Sequence, residues 1–287
     1  MAERKPFPLP TAGKRTPPPE PARTPPPEGK GGRAASRRLR VLVPVTGAYH
    51  GRLRVRRSTG GLDTEGLDRV LSGLSSQAIA LAKQLPEAEL VAVHVDKGAG
   101  EEVLREALSH GLDHGILIEG AEEHESDAST RAATIADVYR QNGPFDAVIG
   151  PARSEFSGFT GTLAAVAGAL ELPIVVGVKS IRAAGPGFEI AYESLFGDYD
   201  LRIPRPCVVL AGDVPPSHPT AWDIHDAYHV HGILRVRADQ LALEKARTRQ
   251  MRIQAVKPET RPLESLDGAT LVRRMRSRAL IPEGESA

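Results

Sequence analysis

Between Arg153 and Thr162 the chain places three hydroxyls, Ser154, Ser157 and Thr160, and two glycines, Gly158 and Gly161, just ahead of an apolar helical pattern. Free N–H groups and the dipole at a helix start attract anions, and glycine lets the backbone come close. The chemistry such a turn suits is the holding of a phosphate or nucleotide. A capped helix start with nothing bound would use the same residues.

Other reactive types are sparser. His218, His225, His229 and His231 gather late with Asp223 and Asp226, and His225 and His229 share a helix face at i, i+4, a spacing used by zinc ligands. No Glu-x-x partner accompanies them, and Trp222, Tyr228 and the prolines give the segment the look of a protein-contact loop. Cys207 lies in an apolar run and reads as a small core residue rather than a nucleophile. The first turn, Pro44-Val-Thr-Gly-Ala48, lacks G-x-G-x-x-G spacing, and there is no Walker A sequence. These absences argue against an ordinary NAD enzyme or P-loop NTPase.

The elements that must position these residues alternate. Arg40–Val45, Glu89–Val95, His114–Ile118, Phe145–Gly150 and Ile174–Val178 read as buried strands. Helical patterns lie between them: Leu71 to Leu85, Glu101 to His110 closed by Gly111, Thr130 to Gln141, and Phe159 to Leu170. Phe145 to Val178 is one strand–helix–strand unit, and its turn sits where a sheet's carboxyl edge meets a helix start. Regular alternation over 39–182 predicts a doubly wound parallel sheet, Rossmann-like and of adenine-nucleotide-binding type. Arg52–Arg57 alternates as an edge strand or hairpin arm. Phe188–Tyr192 and Leu201–Ile203 read as hairpin arms, and Cys207–Ala211 as a last apolar strand. Asp213–His229 reads as polar and broken by prolines.

The expected organisation is a Pro/Arg-rich tail over 1–38, an α/β domain over 39–235 and an extended, core-poor arm over 236–287. Ten of the 24 prolines fall in residues 1–30, too many for a core. Residues 1–40 carry ten Lys or Arg against three Glu, a net of +7 in a chain whose total is +1, so the remainder is acidic. Basic ends on an acidic body can embrace that body, a partner or a polyanion. No aromatic residues interleave with Arg33, Arg37, Arg38 and Arg40, so nucleic acid is not expected. No apolar run is long enough to span a bilayer, the single cysteine excludes internal disulfides, and a cytoplasmic location is expected.

The ordered set Val41–Val45, Gly111–Ile118, Asp146–Gly150, Thr160-Gly161 before an alanine-rich helix, Leu172-Pro173, the hairpin after Gly187, Arg205-Pro206 and the strand towards Asp213 resembles the beta subunit of electron transfer flavoproteins, the FixA-like family. The resemblance covers roughly 39–260. It implies a heterodimer with an alpha subunit that supplies most contacts to FAD, and an arm that packs on that subunit. It implies electrons taken from a dehydrogenase and passed towards a quinone-linked oxidoreductase, with no reaction catalysed by the beta chain alone. It also implies a structural AMP, replaced by a second FAD in bifurcating relatives. The nucleotide-contacting set expected is Val45, Thr46 and Gly47 after the first strand, with Ser154, Ser157, Gly158, Phe159, Thr160 and Gly161.

Three family features are replaced here. The Asn-Pro-x-Asp before the first helix reads Leu74-Ser75-Ser76-Gln77. The turn at 154–161 keeps only Thr160-Gly161, so the Asn and Gln amides that bond AMP in the family are absent. The segment whose leucine anchors the dehydrogenase reads Asp213-Val-Pro-Pro-Ser-His-Pro219, which predicts a different redox partner. A universal-stress-type nucleotide-binding module is the alternative, but its glycine pattern fails at Glu171. An adenylating enzyme would need a pyrophosphate loop that Thr46-Gly-Ala-Tyr-His50 does not supply.

Overall fold

The run Arg40–Pro44 (β1) has no room for alternation: its last four residues are all buried, as a central parallel strand covered on both faces requires. In the computed structural model, residues 37–56, 62–96, 100–120, 128–153, 161–241 and 267–277 are described. Strands of the same kind follow at Glu89–Asp96 (β6), His114–Glu119 (β7), Ala147–Pro151 (β8) and Cys207–Ala211 (β12). With Ile174–Ala184 (β9), Gly187–Ser194 (β10), Gly197–Pro204 (β11) and Ile233–Arg237 (β13) they form one nine-stranded sheet. Its order is β11-β10-β9-β12-β8-β1-β6-β7-β13, and the seven strands from β9 to β13 are mutually parallel. β10 and β11 extend it as an antiparallel hairpin.

Helices cover both faces. Gly73–Ala82 (α1) and Gly100–Ser109 (α2) pack on one side through Ile79, Leu81, Leu104 and Leu108. Ala128–Asn142 (α3) and Gly161–Leu170 (α4) pack on the other through Ile135, Val138, Leu163 and Val166. This is the Rossmann-like, doubly wound α/β architecture that the alternation predicts. Among the described residues no helix is long and apolar enough to cross a membrane.

Three elements differ from the sequence reading. Leu71 ends a short strand, Asp68–Leu71 (β5), paired with Gly47–His50 (β2), because Ser72 caps α1 only after it. The supposedly broken segment Asp213–His229 contains a helix, Ala221–His229 (α5). Its start is a capping box: Thr220 Oγ1 accepts from the Asp223 amide, and the Asp223 carboxylate accepts from the Thr220 amide. Third, β12 lies between β8 and β9, so the strand–helix–strand unit β8–α4–β9 straddles a strand supplied later. All five β12 residues are buried, including Cys207, whose thiol burial pushes up to about 12.

The ends of the chain join the sheet further than composition suggests. Arg37 donates to the Asp146 carboxylate, and Arg38 donates to the carbonyls of Glu87 and Ala88. β13 crosses residue 235, where the arm was expected to begin, and Val236, Ala238 and Leu241 are core residues. Arg105 on α2 donates to the carbonyls of Ala227 (2.7 Å) and His231 (2.6 Å), closing the end of α5, and pairs with Glu101 at 3.0 Å. Glu101 in turn pairs with Arg235 of β13. The short strands Arg54–Val55 (β3) and Leu62–Asp63 (β4) form the hairpin expected near Arg52–Arg57. Residues 1–36, 242–266 and 278–287, most of the expected tail and arm, lie outside the described residues.

The change from parallel sheet to antiparallel hairpin occurs at a bulge. The register of β9 with β12 skips Gly177, whose φ is +81°, and its register with β10 skips Lys179, two residues on. A Cβ there would stand 2.7 Å from the Glu193 carbonyl oxygen, while one on Gly212 would meet the Gly177 backbone at 2.8 Å. Gly177→Ala should therefore destabilise the fold by about 1–3 kcal/mol through left-handed strain alone, with the clash adding to it. A fall in the urea midpoint at unchanged m-value is the expected result.

Candidate functional site

Sheet order reverses at β1: β6 lies on one side and β8 on the other, so a crevice opens beyond their carboxyl ends at the topological switch point. Three of the expected contact residues, Val45, Thr46 and Gly47, leave β1 at this edge. Gly161 opens α4, which follows β8. Ser154, Ser157, Gly158, Phe159 and Thr160 lie outside the described residues. The start of α4 is seated against the sheet by Leu163, which fills the space that a side chain on Gly150 would take, 2.4 Å from that position. The Pro44 carbonyl of β1 lies 3.7 Å from the same point. The two strand ends and the helix start therefore meet at one edge.

Each residue of the first turn is held by a different tertiary contact. The Val45 carbonyl accepts from His94 Nδ1 at 2.9 Å, which places the proton of that nitrogen, while the Val45 amide donates to the Val93 carbonyl at 2.9 Å. The Thr46 amide donates to Ser75 Oγ at 3.0 Å, and Thr46 Oγ1 lies 3.2 Å from Ser72 Oγ and 3.3 Å from Ser75 Oγ. Ser72 Oγ donates to Ser75 Oγ (3.0 Å) and accepts from the Ser75 amide (3.1 Å) as the cap of α1. Gly47 has no room for a side chain: a Cβ would meet Val103 at 2.8 Å and the Arg69 guanidinium at 3.2 Å.

Beneath the turn lies a buried polar cluster. Arg69 reaches the Asp96 carboxylate at 2.7 Å, and His94 Nε2 stands 3.3 Å from the same group; the Asp96 side chain is 1 % exposed. The Arg69 guanidinium also lies 5.2 Å from the centre of the Tyr49 ring on β2. Gly100 permits the approach, since a Cβ there would sit 2.7 Å from Asp96 Cβ and 3.0 Å from His94.

Reading residue types along the chain missed Ser72, Arg69, His94 and Asp96. A Ser three residues ahead of Ser75 and an apolar run was a visible capping signal. The Arg69–Asp96 pair, 27 residues apart, left no local trace.

Among the described residues, Thr46 is the hydroxyl left partly open at this edge; Ser72 and Ser75 are buried behind it and bonded to it and to each other. The charged groups Arg69 and Asp96 are paired. His110 Nδ1 faces Ser217 Oγ at 3.2 Å and Ser76 Oγ at 3.4 Å. Burial, with Lys83 and His218 adding repulsion, holds its pKa below the ordinary 6.5. Burial likewise lowers His114, against the opposing pull of Glu89 and Asp113. His225 and His229 do share a face of α5, with ring centres 4.6 Å apart. Among the described residues no group of three or more His, Cys, Asp or Glu is placed to hold a metal.

A doubly wound α/β domain with a polar crevice at its switch point is the class of protein that this fold defines. Within that class, the family description "Electron transfer flavoprotein domain" matches residues 59–212, more than half of the chain, and the protein belongs to this family. Its general role is electron transfer, in a flavin-associated family of carriers rather than enzymes. No curated protein matches the chain in sequence.

Removing one partner of the buried cluster leaves the other charge uncompensated, so Asp96→Ala should cost about 3–5 kcal/mol in urea unfolding. The two lowered histidines give a signed pH dependence. As pH falls through 6.5 the unfolded chain takes up protons before the folded one, so stability is lost on acidification. Urea midpoints should fall between about pH 7 and 5.5, and His110→Asn with His114→Asn should flatten that slope.

Proposed function

We propose that this chain is the beta-type subunit of a heterodimeric electron transfer flavoprotein. It passes electrons from a dehydrogenase towards a quinone-linked acceptor while an alpha subunit holds most of the FAD. The observation that carries the reading is an apolar surface beyond the last helix-covered strand. On the α1 side of the hairpin, Tyr192 and Tyr199 stack with centroids 5.5 Å apart, and Leu201 is partly exposed beside Ile190. At its tip Leu195 and Phe196 are 99 % and 89 % exposed. Residues of this kind at a sheet edge favour cover by another protein surface.

The helix Gly268–Ser277 (α6) supports the same reading. It carries Arg273, Arg274 and Arg276, and exposes both Leu271 and Val272. Ten residues are too few for a stable isolated helix, so its apolar side needs a surface to pack on. In this reading the arm, expected over 236–287 but rooted in this chain's own core as far as Leu241, lies beyond that point on the alpha subunit. A nucleotide, AMP in the simplest case, is held structurally at the switch point by Thr46, Gly47 and the Thr160-Gly161 turn that opens α4. Bound there, it would supply no chemistry, only a fixed polar filling for the crevice. The working location is the cytoplasm.

Co-expression with the candidate alpha chain tests the proposal. A yellow one-to-one complex is expected, and mass spectrometry of the ligands released on denaturation should find FAD together with AMP. Leu195→Asp with Phe196→Asp should weaken pairing by at least about tenfold in analytical ultracentrifugation, the loss of two buried apolar anchors. A chain that stays monomeric and colourless beside its candidate partner overturns the reading.

A further inference from the structure

The amino edge of the sheet, opposite the switch-point crevice, carries a second concavity. The segments leading into β1, β8 and β12, three neighbouring strands, line a cavity of ≈ 420 Å³. This is within the range of small-molecule sites, roughly 300–1,000 Å³. Its floor is apolar: Phe145 is buried, Tyr139 lies against it with ring centroids 5.5 Å apart and planes tilted by 38°, and Pro144 and Pro206 form the walls. The Tyr139 hydroxyl is fixed by donating to the Phe145 carbonyl at 3.0 Å.

The rim is cationic beyond what its one carboxylate can neutralise. Arg37, Arg140 and Arg205 face Asp146 alone. That carboxylate is already taken: Arg37 Nη2 reaches both of its oxygens, at 3.1 and 3.0 Å, and the Arg40 amide donates to it at 2.9 Å. Arg205 is aimed by carbonyls instead. Its Nε donates to Pro186 O at 3.1 Å and its Nη2 to Gly185 O at 2.6 Å. Its Nη1 lies 3.8 Å from Asp146 Oδ1, a long ion pair with a carboxylate that Arg37 already grips, and its side chain is only 24 % exposed. Arg140 is oriented in the same way, by donating to Ala169 O at 2.5 Å. Carbonyls orient a guanidinium without cancelling its charge, and Asp146, shared by Arg37 and Arg205, offsets only one of the three, so a net positive charge stands over an apolar floor.

We propose that this cavity binds a small organic oxyanion, a carboxylate or phosphate ester on a flat apolar body. Arg205 and Arg140 take the anionic group, and the Tyr139–Phe145 floor takes the body. The planar fork of arginine suits a two-oxygen anion. Every residue used belongs to this chain and to the edge opposite the switch-point crevice, so the proposal does not rest on the nucleotide reading.

Isothermal titration of the full chain with benzoate, phenyl phosphate, benzamide and inorganic phosphate tests it. Benzoate or phenyl phosphate should bind at least about tenfold more tightly than neutral benzamide, the expected worth of a charge-assisted hydrogen bond, and the tighter of the two names the anion. Inorganic phosphate should bind more weakly than phenyl phosphate. Arg205→Gln should lose about tenfold in affinity. Because Arg205 also ties the turn between β9 and β10, Arg140→Gln is the second variant; it should weaken binding several-fold at unchanged circular dichroism. Benzamide matching benzoate, inorganic phosphate matching phenyl phosphate, or both variants binding as wild type would each overturn the proposal.

Discussion

β12 is hydrogen-bonded on both sides, to β8 and to β9, and the sheet is continuous only because of it. It arrives after the hairpin, yet fills a slot between strands formed earlier in the chain. β9, β10 and β11 are joined by short turns and can pair locally, whereas β12 must find β8 across more than fifty residues. Non-local parallel pairing of this kind is slow, because chain entropy is lost before contacts repay it. The glycine pair at 177 and 212 belongs to the same constraint. The strand leaving β12 must pass the bulge of β9 at backbone contact, and a side chain at either position blocks the passage.

The switch-point edge is braced from within. The first turn is fixed through its backbone: His94 holds the Val45 carbonyl and Ser75 holds the Thr46 amide. The buried Arg69–Asp96 pair fixes His94 in turn. These groups are spent on rigidity, so a ligand meets a surface whose shape is set before it arrives. Preorganisation of that kind lowers the cost of binding.

Much of the architecture was legible because central parallel strands declare themselves as unbroken apolar runs, as at Val41–Val45 and Cys207–Ala211. Helix faces at Ala132, Ile135 and Ala136 were equally plain in their spacing. β13 was not legible: Ile233-Leu-Arg-Val-Arg237 mixes charge with apolar residues, as an edge strand does, and only Val236 is fully buried. α5 was hidden by the prolines before it, although Thr220 and Asp223 carried its capping signal. At the site, Thr46 and Gly47 could be picked out as a turn after a strand. Their partners Ser72, Ser75 and Arg69 lie 22 to 29 residues away, and only the fold brings them close. The amino-edge cavity left no motif at all, since its arginines come from three separate strand approaches.

The Arg105 clamp has a mechanical consequence. One guanidinium grips the end of α5, its salt-bridge partner Glu101 grips β13, and both start from the same short stretch of α2. The outer side of α5 presents Trp222, Ile224 and Tyr228 to solvent. Displacing this side of α5 would strain the Arg105 contacts to Ala227 and His231 and, through Glu101, the pair with Arg235. One Arg–Glu–Arg chain of charge thus joins α5, α2 and β13.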